Sequence, residues 1–360
     1  MAKISVHDRR RLLLRSGGIC AFPDCNEPLV EATREGTEDT ITGIECHIVA
    51  QRDHPSVARS PSSLSNEERD EFAHLIADRD SFANLVMMCL KHSRVIDDPA
   101  QGYTVEQVVE MKRAHEEAMA EGRSGEQERR EEADLAYAEI VDEWDRRLNL
   151  DDWDREMSPL VADGHPRLGK EKFDALTEVR EWLFKRVWPG TNRDLEEAFL
   201  NFRLVCQDLQ AVLSQHPHEH LAEQGLVAIT RFYNDPRWIR AQEGEPDFQA
   251  LDDLYDFYSY LVEDLTYELT RAANLVCDTV RQTLDPRYRI DEGVLTLTAG
   301  PFMEDLSVRT ARPHYAADAG TRPYEGLMAF LEARAGRDIV RGEGGAPEGV
   351  RLPGEPIFGP

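Results

Sequence analysis

Two short clusters carry donors suited to a soft metal ion: Cys20-Ala21-Phe22-Pro23-Asp24-Cys25 and Cys89-Leu90-Lys91-His92. Thiolate sulfur and imidazole nitrogen are ligands that zinc prefers, four to a tetrahedron, and two close pairs from two turns supply them. Cys20, Cys25, Cys89 and His92 are therefore the expected ligands of a structural Zn2+, with all four positions taken by protein. Such a staple holds together a small subdomain whose apolar core is too small by itself. The other reading of the same residues is buried cysteines at coincidental spacing. Between the clusters lies Gly43-Ile44-Glu45-Cys46-His47-Ile48-Val49, which places a further imidazole on an apolar, β-branched segment.

The composition bounds what this chemistry can serve. With 360 residues the chain has room for two or three domains, and 41% hydrophobic with 31% charged residues is ordinary for a globular protein. No apolar run is long enough to span a bilayer, and the first residues lack the apolar stretch of a signal peptide, so the expectation is a cytoplasmic protein with no membrane partner. Six cysteines in a chain of this length do not make a disulfide scaffold. Clustered cysteines in a reducing compartment point to metal, whereas the isolated Cys206 and Cys277 read as core. The net charge is −27; residues 1–120 carry 14 Lys+Arg against 21 Asp+Glu, and residues 121–360 carry 28 against 48. Acidic chains repel phosphate at long range. Any DNA contact then has to use local basic patches, Arg9-Arg10-Arg11 with Arg15, or Lys112-Arg113, unless a partner supplies the affinity.

Several elements are expected to position these groups. Residues 7–16 read as a short helix with Asp8 as cap, ending at Gly17-Gly18. Residues 40–49 alternate and are β-branched, as a strand does, and 51–66 read as loop. A helix opens at Ser65, an apolar turn or strand covers 84–89, and Thr104 with Gln107 forms a capping box that starts a helix to about Met119. A break at Gly122–Gly125 precedes a charged helical connector over 126–148. Residues 151–169 read as loop, and helices are expected at 171–188, 193–215, 221–232 and 248–284. Tyr288 to Leu297 reads as a β-hairpin turning at Asp291-Glu292-Gly293. A last helix is expected at 323–335, then a loose Gly/Pro-rich tail over 341–360. The expected division is 1–120, a connector at 121–150, a helical domain at 151–340, and the tail.

With these elements in place, residues 10–117 resemble the HNH endonuclease family, in the branch found in bacterial restriction and antiviral-defence nucleases. The matching elements are Gly18-Ile19-Cys20 with Pro23 and Cys25, Cys46-His47-Ile48-Val49, Asn84-Leu85-Val86-Met87-Met88-Cys89, His92, Ile96-Asp97, Tyr103-Thr104-Val105-Glu106 and Lys112-Arg113-Ala114-His115-Glu116. The resemblance implies an α+β chain: a zinc-stapled ββα-metal domain, then a mainly α-helical domain with a small β-hairpin. It implies cleavage of DNA phosphodiesters with a catalytic divalent ion (Mg2+, Mn2+ or Ni2+). His47 would take the proton from water, a task an imidazole suits, and Asn84 would orient the loop that carries it. As bare residues, His47 reads rather as a satisfied histidine on a strand and Asn84 as a turn residue.

The chain departs from the family at two positions. The residue after the last zinc ligand is usually a histidine that holds the catalytic ion, and here it is Ser93. The residue before the base is often acidic, and here it is Cys46, whose sulfur is poorly matched to Mg2+. Glu45, its neighbour, belongs to the other face of the strand. Either the ion is held by other residues, with His54, His74, Asp97 and His115 as candidates, or the fold serves without catalysis as a zinc-stapled adaptor for protein or nucleic acid.

The remaining two-thirds contain no P-loop, dinucleotide fingerprint or nucleophile elbow. The aromatic positions 248–267 read as core, His216, His218 and His220 as an interhelical loop rather than a metal site, and Asp252-Asp253 and Glu263-Asp264 as exposed helix charges. Arg271 and Asn274 either face a pocket or pair with neighbours. A nuclease-like head on an acidic helical body points to control: repression of DNA binding by charge, sensing of an infection cue as an antiphage effector, or formation of a homodimer or complex with a protein partner.

Overall fold

A computed structural model describes residues 3–353, apart from 33–38, 122, 163, 243–244, 301–306, 321, 343–344, 348–349 and 351. Helices and four separate two-stranded antiparallel sheets make an α+β chain. It divides into two compact units, Met1–Glu143 with Val280–Tyr288, and Trp144–Thr279 with Arg289–Pro360. No helix among the described residues is long and apolar enough to cross a membrane.

In the first unit, α1 (Val6–Arg15) is capped by Ser5, whose hydroxyl accepts from the Asp8 amide, so Asp8 lies inside the first turn and is not the cap. Strand β1 (Val30–Ala32) pairs with β2 (Asp39–Ile41). The segment expected as one strand over 40–49 is broken before β3 (Ile44–His47). The amides of Thr42 and Gly43 both turn to the Leu29 carbonyl, at 2.9 and 3.2 Å. A Cβ at residue 43 would lie 2.7 Å from Met87 Cε and 2.9 Å from Leu29 Cβ, so only glycine fits there.

Ser65 and Glu68 form a capping box before α2 (Asn66–Glu71), and α3 (Ala73–Ala77) follows. Strand β4 (Leu85–Met88) is buried along its whole length and pairs antiparallel with β3, setting Ile44 opposite Met88 and His47 opposite Leu85. Helix α4 (Leu90–Asp97) lies against both strands. The Thr104–Gln107 capping box opens α5 (Val105–Ala120) as expected, and α6 (Gly125–Leu148) begins after a break; Gly122 lies outside the described residues. Leu12, Leu29, Ile48, Val49, Leu85, Ile96 and Val108 form the fully buried core, each contributing about 1.5–3 kcal/mol by leaving water.

This unit also draws on a late segment of chain. Arg9 bonds Glu45 through Nε (3.1 Å) and Asp285 through Nη1 (2.7 Å). Arg287 bonds Glu45 through Nη1 at 2.5 Å and donates to the Gly43 carbonyl.

The second unit holds α7 (Trp153–Met157), β5 (Arg167–Gly169), α8 (Lys170–Phe184), α9 (Arg193–Gln215), α10 (Glu219–Glu223), β6 (Leu226–Ala228), α11 (Pro236–Ala241), α12 (Phe248–Thr283), β7 (Leu297–Ala299), β8 (Arg309–Ala311) and α13 (Leu327–Ala333). Several expectations fail here, the first being the loop over 151–169, where α7 and β5 form instead. Residues 221–232 are not one helix: Gly225, at φ 76°, ends α10, and β6 then pairs with β5. The hairpin expected over 288–297 is absent, because the Asn274 side chain takes both the N–H and the C=O of Leu295, at 2.9 Å each. β7 pairs instead with β8. Of the aromatic residues near the start of α12, Tyr255, Phe257, Tyr258 and Tyr267 are core, while Phe248 and Tyr260 are exposed.

Glu263 and Asp264 are buried, contrary to the reading as surface charges. They are answered by arginines from the segment after α13: Arg334 to Asp264 (3.1 Å), Arg337 to Glu268 (2.7 Å) and Arg341 to Glu263 (3.1 Å). Arg271 joins Glu268 to Asp338. Buried ions persist only when paired in this way. Burial still holds the Asp264 carboxyl above the usual carboxylate range. Of the expected loose tail, residues 343–344, 348–349, 351 and 354–360 lie outside the described residues.

Candidate functional site

The two clusters meet. Sulfur or nitrogen atoms of Cys20, Cys25, Cys89 and His92 all lie within 4.8 Å of one another. His92 Nδ1 is 3.3 Å from Cys89 Sγ and 3.6 Å from Cys20 Sγ. Bonds of about 2.0–2.3 Å around a tetrahedral ion put its ligands about 3.4–3.8 Å apart, so these spacings suit a structural metal such as zinc. The four-residue gap between Cys20 and Cys25, wider than the common two, is closed by a tight turn. Asp24 takes a left-handed φ of 60°, and the Cys25 amide donates to Phe22 O at 3.0 Å.

The surroundings brace the ligands. The Cys89 amide donates to Cys20 Sγ at 3.3 Å, and Phe22 stacks on the His92 ring at 4.0 Å with the planes 3° apart. Cys89 is the residue before α4, and His92 sits in that helix's first turn. Burial pushes the Cys20 thiol up to about 12, so the bare group is protonated and metal binding must displace that proton. Burial and Lys91 hold the His92 imidazole below its usual value, which favours the neutral ring a metal requires.

Beside β3 lies an open cleft of about 470 Å3, lined by Glu45, His47, Arg52, Ser93, Arg94 and Asp97 among others. His47, the last residue of β3, has Nε2 3.1 Å from Asp80 Oδ1, and Gln51 Nε2 donates to the same oxygen at 3.2 Å. A carboxylate accepting from Nε2–H leaves the lone pair on Nδ1. Asn84 is fully buried one residue before β4. Its Oδ1 accepts from the Val49 amide (2.8 Å), and its Nδ2 donates to Val49 O and Arg79 O (2.9 Å each). The chain leaving His47 is thus clamped on both its polar groups. Arg59 reinforces it from below: buried, with φ 54°, it donates to Ile48 O at 2.8 Å, to His47 O at 3.2 Å and to Ile96 O, and pairs with Asp97 at 2.7 Å.

The remaining candidates separate. Ser93 is buried and its hydroxyl donates to Leu90 O. Cys46 is buried, and burial pushes its thiol up, away from the thiolate a metal needs. His115 bonds Ser16 O, His54 bonds Ser56 Oγ, and His74 is exposed outside the cleft, so none of the three joins His47. Asp97 does line the cleft. Among the described residues the only group of three or more clustered His, Cys, Asp or Glu ligands is the four-residue knot.

The expected basic patches are largely consumed within the first unit. Arg9 is paired as described, Arg10 pairs with Asp134, and Arg11 lies over the Phe82 ring at 4.3 Å. Lys112 is buried, donating to Phe82 O and Leu85 O, while Arg113 pairs with Glu110 and Glu117. In the second unit the three histidines do not converge on a metal. His216 packs among Phe232, Trp238 and Tyr258, His218 caps α10, and His220 bonds Gln224. Arg271 and Asn274 pair with neighbours.

Asp80, Arg59 and Gln51 were not singled out by sequence reasoning. The signal available for Asp80 was positional. Once 44–47 and 85–88 are taken as paired strands, residues just before Leu85 must run alongside those just after His47. No known protein family, curated protein or solved structure matches this chain.

Proposed function

We propose that the first unit is an HNH-type nuclease head acting on DNA, with zinc as the ion in the knot of Cys20, Cys25, Cys89 and His92. The observation that carries this reading is the His47–Asp80 pair on the wall of an open cleft, its backbone locked by Asn84. In this reading a phosphate seats between Arg52 and Arg94, two exposed arginines lining the same cleft. His47 Nδ1 takes a proton from water as the water oxygen bonds to phosphorus. Asp80 holds the resulting imidazolium, and the departing ester oxygen takes its proton from solvent. The knot acts from behind, fixing α4 against β3 and β4.

The residues around His47 do not fit a three-ligand ion site, since Ser93, Cys46 and Asp97 are engaged as described. Mg2+ often needs only one or two protein carboxylates beside water and phosphate oxygens, but no step is routed through such an ion here. The same disagreement favours a second reading, in which the head binds DNA or a protein without cutting.

Plasmid nicking with Mg2+, Mn2+ or Ni2+ tests the proposal. Cutting by the wild type that His47→Ala lowers by about 10²–10⁴-fold is the expected result. Equal cutting by both proteins removes His47 from the chemistry. Cutting that appears only in Ser93→His makes the natural chain a degenerate nuclease and establishes the second reading.

A further inference from the structure

The arginines expected to meet nucleic acid are mostly used up inside the first unit, so basic charge beyond Arg52 and Arg94 of the cleft must be sought elsewhere. It lies at the end of α8 and on α9, in the run Arg180-Glu181-Trp182-Leu183-Phe184-Lys185-Arg186-Val187 together with Arg203. Lys185 pairs with Glu181 at 3.6 Å. Arg180, Arg186 and Arg203 meet no carboxylate among the described residues.

The aromatic groups beside these cations are in place for stacking. Arg203 lies over Phe184, 5.4 Å from the ring centroid, and Arg186 lies over Trp182 at 4.4 Å. Phe184 is nonetheless 72% exposed, and Val187 is 91% exposed. Arg180 and Phe184 are one helical turn apart and share a face of α8. Arg203 feels Arg180 as a like charge: burial first, and Arg180 second, hold its guanidinium below the usual value. Two like charges left side by side without a counter-ion, next to an uncovered ring, are arranged for an anion that also carries a flat apolar face.

We propose that this surface binds single-stranded nucleic acid, with a base stacking on Phe184 and phosphates meeting Arg180 and Arg203. Exposed aromatic rings interleaved with cations are how sequence-tolerant single-strand binding is achieved. The charge argument favours a polyanion, and the bare ring favours one with bases. The surface is independent of the cleft at His47, so its test requires no cleavage.

The test is fluorescence anisotropy of a labelled oligodeoxythymidylate with the full-length protein, in metal-free buffer and in a His47→Ala background. Binding is expected to weaken roughly tenfold in Phe184→Ala and to persist in Phe184→Tyr. In Arg180→Gln/Arg203→Gln, the slope of log affinity against log salt should fall by about 1.4, the share of two phosphate contacts on a single strand. Unchanged thermal unfolding of each variant shows that the fold is kept; where Arg180→Gln/Arg203→Gln unfolds early, the exposed Phe184→Ala decides alone. No binding by the parent protein, or binding that ignores both variants and is lost only in Arg52→Ala/Arg94→Ala, overturns the proposal. So does sedimentation showing that Phe184→Ala abolishes a dimer while oligonucleotide binding is unaffected, since the surface then joins two copies of the chain.

Discussion

At the scale of single residues, the cleft depends on two side chains that need not touch a substrate. Asp80 accepts from His47, and Asn84 holds the backbone that follows it. On the proposed nuclease reading, Asp80→Asn is expected to lower kcat by roughly a hundredfold with KM nearly unchanged, since Asp80 would orient the base and support its charge. A matching rise in KM would mean that Asp80 binds substrate instead. Asn84→Ala leaves Val49 N, Val49 O and Arg79 O without their partner and should cost about 2–4 kcal/mol in urea unfolding. A cost below about 0.5 kcal/mol would remove the clamp from the account. The convergence of the four knot residues was legible because their types are rare and their spacing chemical, whereas the roles of His47 and Asn84 rest on the proposed reading. Asp80 was not, because an aspartate in a polar turn gains meaning only when the strand register brings it to an imidazole.

At the scale of elements, the knot and α5 each carry a measurable load. Metal binding to structural zinc sites supplies about 10–16 kcal/mol, which equals or exceeds the roughly 5–15 kcal/mol that holds a whole domain. Chelation, or Cys89→Ser, should therefore melt the first unit. All five tryptophans lie between residues 144 and 238, in the second unit. Far-UV circular dichroism should lose helix on chelation while the tryptophan fluorescence transition stays in place. Loss of both signals together would show that the two units do not unfold separately.

Lys112 of α5 offers a pH test. Burial lowers its amine from 10.5 to about 8, so between those values the unfolded chain keeps a proton that the folded chain has shed. Stability should rise with pH across that window, relative to Lys112→Met; a flat difference between the two proteins would place the amine in water. The helix start at Ser65 and the capping box at Thr104 were readable from local sequence alone. The break at Gly43 and the missing 288–297 hairpin were not, because Leu29, Met87 and Asn274 impose them from a distance.

At the scale of the molecule, charge is organised as much by the interior as by the surface. Three buried carboxylates of α12 are held by arginines some seventy residues later in the chain. Arg334→Met should cost about 3–5 kcal/mol by stranding Asp264, and Arg334→Met/Asp264→Leu should recover most of it. Additive losses in the double variant would show that the pair is not coupled. Sequence reading took Glu263 and Asp264 for surface charges, because an Asp or Glu on a long helix is usually solvated and nothing local announces the arginines that answer it. The interleaved units were hidden for the same reason: residues 280–288 return to the first unit after most of the second has been written. That return sets an order of events during translation. Glu45 leaves the ribosome long before Arg287, its partner, so a nascent chain carries an unfinished amino-terminal unit until all of α12 has been made. On the proposed nuclease reading, the head would then be armed only after the helices through α12 had been synthesised.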